Sequence, residues 1–226
     1  MTIVRTFHEC KALLARHAPG LPLGRARMIE GVGQFNHVLC LDERWILRFP
    51  KSPAAAVDLA GFLRALHAIS PGELSLPPAP ESPREEWTRV YGAIRTQLFP
   101  FMRRDAQAAA SRSFADALKN DGLWRGEPCV VHGDIGAGNI LFRQGRISGI
   151  IDWGFCGLGD PAQDMGALLA SYGEAFAARV CRHFPALGKG LARARFYRRQ
   201  YALLQALFAL RDGDQAEFAG GIAAYR

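Results

Sequence analysis

The stretch at 129–164, CVVHGDIGAGNILFRQGRISGIIDWGFCGLGDPAQD, restricts the fold more than any other part of the chain. An apolar pair, Val130 and Val131, leads into His132, Gly133 and Asp134; Asn139 follows, and then the apolar run Ile140, Leu141 and Phe142. Gln144-Gly145-Arg146 reads as a turn, and a second apolar run at 147–151 ends in Asp152. A glycine at such a turn supplies the positive φ that a tight connection needs, so the two runs are expected to pair as a hairpin. That pairing gathers Asp134, Asn139 and Asp152 near one end.

Gathered in this way, the three residues meet the needs of phosphoryl transfer from a metal-bound nucleoside triphosphate. One carboxylate accepts the proton of the attacking hydroxyl, while an amide oxygen and a second carboxylate hold Mg2+ against the phosphates. His132, Asp134 and Asn139 have the H-x-D-x-x-x-x-N spacing of a kinase catalytic loop, with Gly133 where protein kinases carry arginine. Asp152 stands where those kinases place the metal-binding aspartate. Any one of these residues taken alone reads equally well as a turn or capping residue; the set of three in this order is what indicates chemistry. A metal-dependent hydrolase built on His132 and Asp134 is disfavoured, because no second histidine stands at ligand spacing. His132 is expected to brace the loop by hydrogen bonding.

The motifs HGDIGAGN at 132–139 and IDWGFCGLGDPAQD at 151–164 strongly resemble the aminoglycoside phosphotransferase family, relatives of choline kinases with a protein-kinase-like fold. The resemblance implies an α+β, two-lobed fold: a reduced, β-rich N-lobe over 1–58 and a mainly helical C-lobe over 59–226 that carries the catalytic hairpin. It implies ATP or GTP with Mg2+ as the phosphate source and a small-molecule hydroxyl as the acceptor, with Asp134 as base and Asn139 and Asp152 on the metal. Asp160-Pro161-Ala162-Gln163 has the form of a helix start, with Asp as N-cap and Pro at the first position, so Asp160 reads as structural. Asp164 falls in the first turn, where its charge suits the helix dipole and where the family uses it to brace the catalytic loop.

Towards the N-terminus, TFHECKALLARH at 6–17 has helical spacing, and 26–30 and 36–41 read as strands around Gly31-Val32-Gly33-Gln34-Phe35. A G-x-G turn lets backbone amides approach phosphate closely. Another strand follows at 45–50. This order resembles the start of the family's N-lobe, which places Gly31 and Gly33 against the nucleotide phosphates. In that family the third strand carries a lysine or arginine that reaches the triphosphate; the matching residue is Arg48, with Lys51 as a substitute. Arginine keeps the charge but not the compact ammonium. SPAAAVD at 52–58 then leads directly into LAGFLRALHAIS at 59–70, which resembles the first core helix of the larger lobe. No room remains for the glutamate-bearing helix, two further strands and hinge that relatives have between these points. A second reading follows: a catalytically weak or inactive nucleotide-binding or interaction protein that keeps the larger lobe.

Further along, 71–83 reads as a proline-rich loop, and 84–99 and 104–119 as two helices expected to pack under the hairpin. Helices are also expected over 165–183, 191–210 and 215–225, with Arg193, Arg195, Arg198 and Arg199 forming a solvated face. A hydrophobic content of 49% against 22% charged residues excludes a disordered chain. No apolar run approaches the ~20 residues of a membrane span, and the first 20 residues contain no continuous apolar signal core, so the cytoplasm is the expected compartment. The net charge of +7 is dispersed over many segments, which argues against nucleic acid as a partner and for attraction of phosphate-bearing ligands. The five cysteines (10, 40, 129, 156 and 181) are scattered without paired metal spacing and are expected to be reduced, with Cys156 a packing residue near Asp152. The C-terminal helices carry few acids (Glu174, Asp212, Asp214 and Glu217), so they do not favour a polycation over a neutral or anionic hydroxyl compound.

Overall fold

The structure, a computed structural model, describes residues 7, 8, 11, 12, 15, 26–29, 36–41, 45–50, 54–74, 76, 81–143 and 146–226. Among them β1 (Ala26–Ile29), β2 (Asn36–Leu41) and β3 (Trp45–Pro50) form an antiparallel sheet in that order, with Met28 opposite Leu39 and Val38 opposite Arg48. The glycine turn at 31–35 lies outside the described residues, as does most of the segment 6–17. Two more strand pairs follow later in the chain. β4 (Cys129–Val131) pairs with β7 (Gly157–Gly159), and β5 (Ile140–Arg143) pairs with β6 (Arg146–Ile150), both antiparallel. The β5/β6 pair is the hairpin expected from its two apolar runs.

The remaining elements are helical. α1 (Ala54–His67) starts five residues before the expected 59, because Ala54, Ala55 and Ala56 are strong helix formers, and Ala55 and Ala56 are buried. α2 (Pro83–Ala93) begins in a capping box: Ser82 Oγ accepts from the Glu85 amide while the Glu85 carboxylate accepts from the Ser82 amide at 2.8 Å. Past Ala93 the helix widens into a π turn at Ile94–Leu98 and tightens at Phe99–Phe101, before α3 (Arg104–Lys119). α4 (Ala162–His183) is broken at Gly173, whose φ of 76° and ψ of 177° are open only to glycine. α5 (Leu191–Asp212) and α6 (Gln215–Ile222) complete the chain's long helices.

One core joins α1 to α6, and aromatic rings dominate its centre. Trp87 of α2 stacks on Tyr197 of α5 at 5.0 Å and meets Phe196 edge-on at 5.1 Å, and Phe114 of α3 meets Phe196 at 5.5 Å. α2 and α3 therefore close on α5. The hairpin, expected above them, rests chiefly on α1. There the Asp58 carboxylate receives Arg146 Nε at 2.8 Å, Arg146 Nη2 at 2.5 Å and the Ile147 amide at 3.1 Å, which holds the Asp58 carboxyl below the usual range. Periodicity identified the apolar faces but could not specify which helix each would meet.

The expectation of a solvated face for Arg193 is also corrected. Arg193 is only 5% exposed and forks onto the buried Asp160, with Nη2 to Oδ1 at 2.7 Å and Nε to Oδ2. Its Nη1 donates to the carbonyls of Leu123 at 2.5 Å and Arg125 at 3.0 Å, and Tyr197 Oη donates to Asp160 Oδ2 at 2.5 Å. The helix begins one residue later than expected, with Pro161 rather than Asp160 as its N-cap, but Asp160 Oδ1 still accepts from the Ala162 amide at 2.9 Å and so ties the start of α4 to α5. Arg195, Arg198 and Arg199 are exposed, and Arg195 pairs with Glu174 at 2.9 Å.

Candidate active site

The loop between β4 and β5 is held from below by one buried carboxylate. Asp164, fully buried in the first turn of α4, accepts from the His132 amide at 3.2 Å, the Gly133 amide at 2.9 Å and His67 Nε2 at 2.9 Å. Hydrogen bonds to a charged group contribute about 1.5–3 kcal/mol each, so the segment entering Asp134 is fixed from both its backbone and α1. His67 gave no sequence signal beyond its place near the end of a helix. The His132 ring is buried as well. Its Nδ1 accepts from the Asp134 amide at 3.3 Å, which leaves the hydrogen on Nε2, facing the Ile151 carbonyl at 3.2 Å. His132 thus ties the loop to the residue before Asp152.

Gly133 is required by its surroundings. Its φ is +82°, and a Cβ there would lie 2.5 Å from the Phe155 carbonyl oxygen and 2.9 Å from Phe155 Cβ. Backbone of this kind costs a side-chain-bearing residue about 1–3 kcal/mol before any clash. Gly133→Ala is therefore expected to lower the melting temperature and to speed amide hydrogen exchange across 132–139; unchanged exchange in that loop would refute the packing reading.

Three of the expected site residues converge at the loop's outer end. Asn139 Nδ2 donates to the Asp134 carbonyl at 2.8 Å and to Asp134 Oδ2 at 2.9 Å. Because both partners are acceptors, the amide nitrogen faces Asp134 and Asn139 Oδ1 faces away, with no donor among the described residues. Asp134 Oδ1 is likewise left without a donor among them. The Ile151 amide donates to the Asn139 carbonyl at 2.9 Å, which brings Asp152 beside Asn139. Asp152 is exposed and has φ +63°, a left-handed conformation that aspartate tolerates better than most residues. Trp153 holds it in place, its ring 4.8 Å from His132 and 5.9 Å from Phe62, and its Nε1 donating to the Ile150 carbonyl at 3.1 Å.

Of the remaining expected residues, Gly31 and Gly33 lie outside the described set, and Arg48 is described only by its backbone in β3. Neither nearby cysteine offers a nucleophile. Burial pushes the Cys129 thiol up to about 12, aided by the charges of Asp164 and Asp160, and burial also raises Cys156. A protonated thiol leaves the carboxylates and the amide as the reactive groups of this loop.

No helix among the described residues is long and apolar enough to cross a membrane. Residues 5–204 match the model of the phosphotransferase enzyme family. Viomycin phosphotransferase of Streptomyces vinaceus is 40% identical over 178 residues, which cover 76% of this chain and 61% of that protein. Aminoglycoside 3'-phosphotransferase of Escherichia coli is 27% identical over 117 residues, or 49% of this chain and 40% of that one. The chain thus spans about three fifths or less of the length of these relatives. In fold it is similar to the GDP complex of wild-type aminoglycoside 2'-phosphotransferase-IIIa, with a TM-score of 0.68 at 18% identity over 97% of each chain. It is also similar to macrolide 2'-phosphotransferase type I, with a TM-score of 0.65 at 22% identity over 100% of this chain and 99% of that one. On the family match over residues 5–204, the chain belongs to the phosphotransferase enzyme family, the aminoglycoside phosphotransferase group that its HGDIGAGN and IDWGFCGLGDPAQD motifs resemble.

Proposed function

We propose that this protein transfers the γ-phosphate of a nucleoside triphosphate, ATP or GTP, to a hydroxyl group of a small molecule. The observation that carries the reading is the division of labour around Asn139. Its amide nitrogen fixes Asp134 Oδ2, its amide oxygen is left free, and its backbone carbonyl positions the segment bearing Asp152. Asp134 Oδ1 is then the atom that takes the proton of the acceptor hydroxyl as its oxygen attacks the γ-phosphorus. The bond to the bridging oxygen breaks and the nucleoside diphosphate leaves.

The donor set fits Mg2+, because Asn139 Oδ1 and the exposed Asp152 carboxylate are both hard oxygen ligands. When bound, the ion would neutralise charge on the phosphates. Arg48 and the backbone of Gly31 and Gly33 are the proposed phosphate contacts from the N-terminal sheet. Residues 1–58 form the proposed nucleotide lobe and 59–226 the catalytic one. The substrate of the 40% identical relative makes viomycin the first acceptor to try, followed by neutral and anionic hydroxyl compounds, given the sparse acids of the C-terminal helices.

Calorimetric titration with ATP, with and without Mg2+, tests the nucleotide site directly. Asp152→Ala is expected to weaken Mg2+-dependent binding by at least about tenfold, since even groups that only support a metal ligand are worth 10–100-fold. Equal affinity in the variant and the parent would sink the assignment of Asp152.

A further inference from the structure

The catalytic loop has a second neighbour on α4 that the brace through Asp164 does not use. Ser171, about two turns beyond Asp164, accepts a hydrogen bond from the Ala137 amide at 3.0 Å through its Oγ. That contact occupies a lone pair. The hydroxyl's single hydrogen has no acceptor among the described residues.

Ser171 also stands across a small gap from the proposed base. A Cβ built on Gly136 would lie 3.5 Å from Ser171 Oγ and 3.8 Å from Asp134 Oδ1. Both oxygens therefore lie on the same side of Gly136, close enough for one small molecule to meet both. One needs a proton and the other has one to give. A single oxygen cannot use both well, because a donor on the attacking atom lowers its nucleophilicity. Two adjacent oxygens of one acceptor can, each with a hydrogen bond of about 2.8 Å at its own end.

We infer that Ser171 is an acceptor-positioning residue that donates to the oxygen next to the reacting hydroxyl, so that the preferred acceptor is a vicinal diol or a hydroxyl beside an ether oxygen. This rests on the phosphotransferase reading above. Asp134 Oδ1 receives the proton of one hydroxyl, that oxygen forms the new bond to phosphorus, and the neighbouring oxygen keeps its own substituent and accepts from Ser171. No further reactant is involved.

The test compares two isomers, 1,2-propanediol and 1,3-propanediol, as phosphate acceptors at equal high concentration with MgATP, the products being resolved by phosphorus NMR. Hydrolysis of ATP to water is followed in the same samples. The wild type is expected to phosphorylate the 1,2 isomer about tenfold faster than the 1,3 isomer, the worth of one hydrogen bond. Ser171→Ala is expected to erase that preference: the rate to the 1,2 isomer falls about tenfold further than the rates to the 1,3 isomer and to water, whatever common slowing follows from losing the Ala137 contact. A purely structural role for Ser171 would slow all three reactions by one factor and keep the preference, which would overturn the inference. So would equal transfer to both isomers by the wild type, or a preference that survives in Ser171→Ala. If water is an acceptor and neither diol is, the inference falls while the phosphotransferase reading stands.

Discussion

Asp134→Asn is expected to lower kcat by about a thousandfold, within the range of 10²–10⁴ contributed by a positioned general base. The substitution is close to isosteric. An asparagine at 134 still presents an oxygen to Asn139 Nδ2, and its backbone carbonyl and amide keep their bonds to Asn139 and His132. The loop geometry is thus retained and only the basicity of the outward-facing atom is lost. Steady-state kinetics with ATP and an accepted hydroxyl compound should show a nucleotide KM within about threefold of the parent and an unchanged melting temperature. A kcat within tenfold of the parent would remove Asp134 from the role of base. If the melting temperature fell in parallel with kcat, the residue would instead be a support of the loop.

Arg193→Met should produce the largest loss of stability. The side chain is buried against Asp160, and removing it leaves a carboxylate only 4% exposed with the Tyr197 hydroxyl and the Ala162 amide as its remaining partners. Breaking a buried pair from one side costs about 3–5 kcal/mol. In a protein of this size each kcal/mol moves the melting temperature by about 2–4 °C, so a drop of about 6–20 °C is expected in a thermal melt. The double variant Asp160→Leu with Arg193→Met should recover part of that loss, because it removes the stranded charge. A single-variant shift below about 2 °C would mean that α5 is held by its aromatic packing alone.

The difference between these two sites explains what the sequence made legible. Asp134, Asn139 and Asp152 are polar residues at fixed spacing between short apolar runs, and local chemistry already demands a reason for each of them. Asp160 and Asp164 sit at a recognisable helix start, so their place on α4 was readable even though their partners were not. Arg193 carried no such signal. It lies in a run with Arg195, Arg198 and Arg199, three of which are exposed as a basic helix face normally is, and its partner is 33 residues away. His67 was hidden in the same way by a separation of 97 residues from Asp164. Ser171 and Gly173 look like ordinary helix positions until the break in α4 is seen. The start of α1 was misplaced for a different reason: Ala54, Ala55 and Ala56 show no apolar periodicity of their own, although alanine is the strongest helix former.

The three hydrogen bonds that converge on Asp164 also have a consequence during synthesis. At about 5–20 residues per second, His67 leaves the ribosome roughly 5–20 s before the carboxylate it will meet, 97 positions later. The 132–134 segment emerges in that interval too, with its amides still exposed to water. The proton acceptance proposed for Asp134 therefore becomes possible only after Asp164 has left the ribosome, and until then the HGDIGAGN motif has nothing yet to shape it.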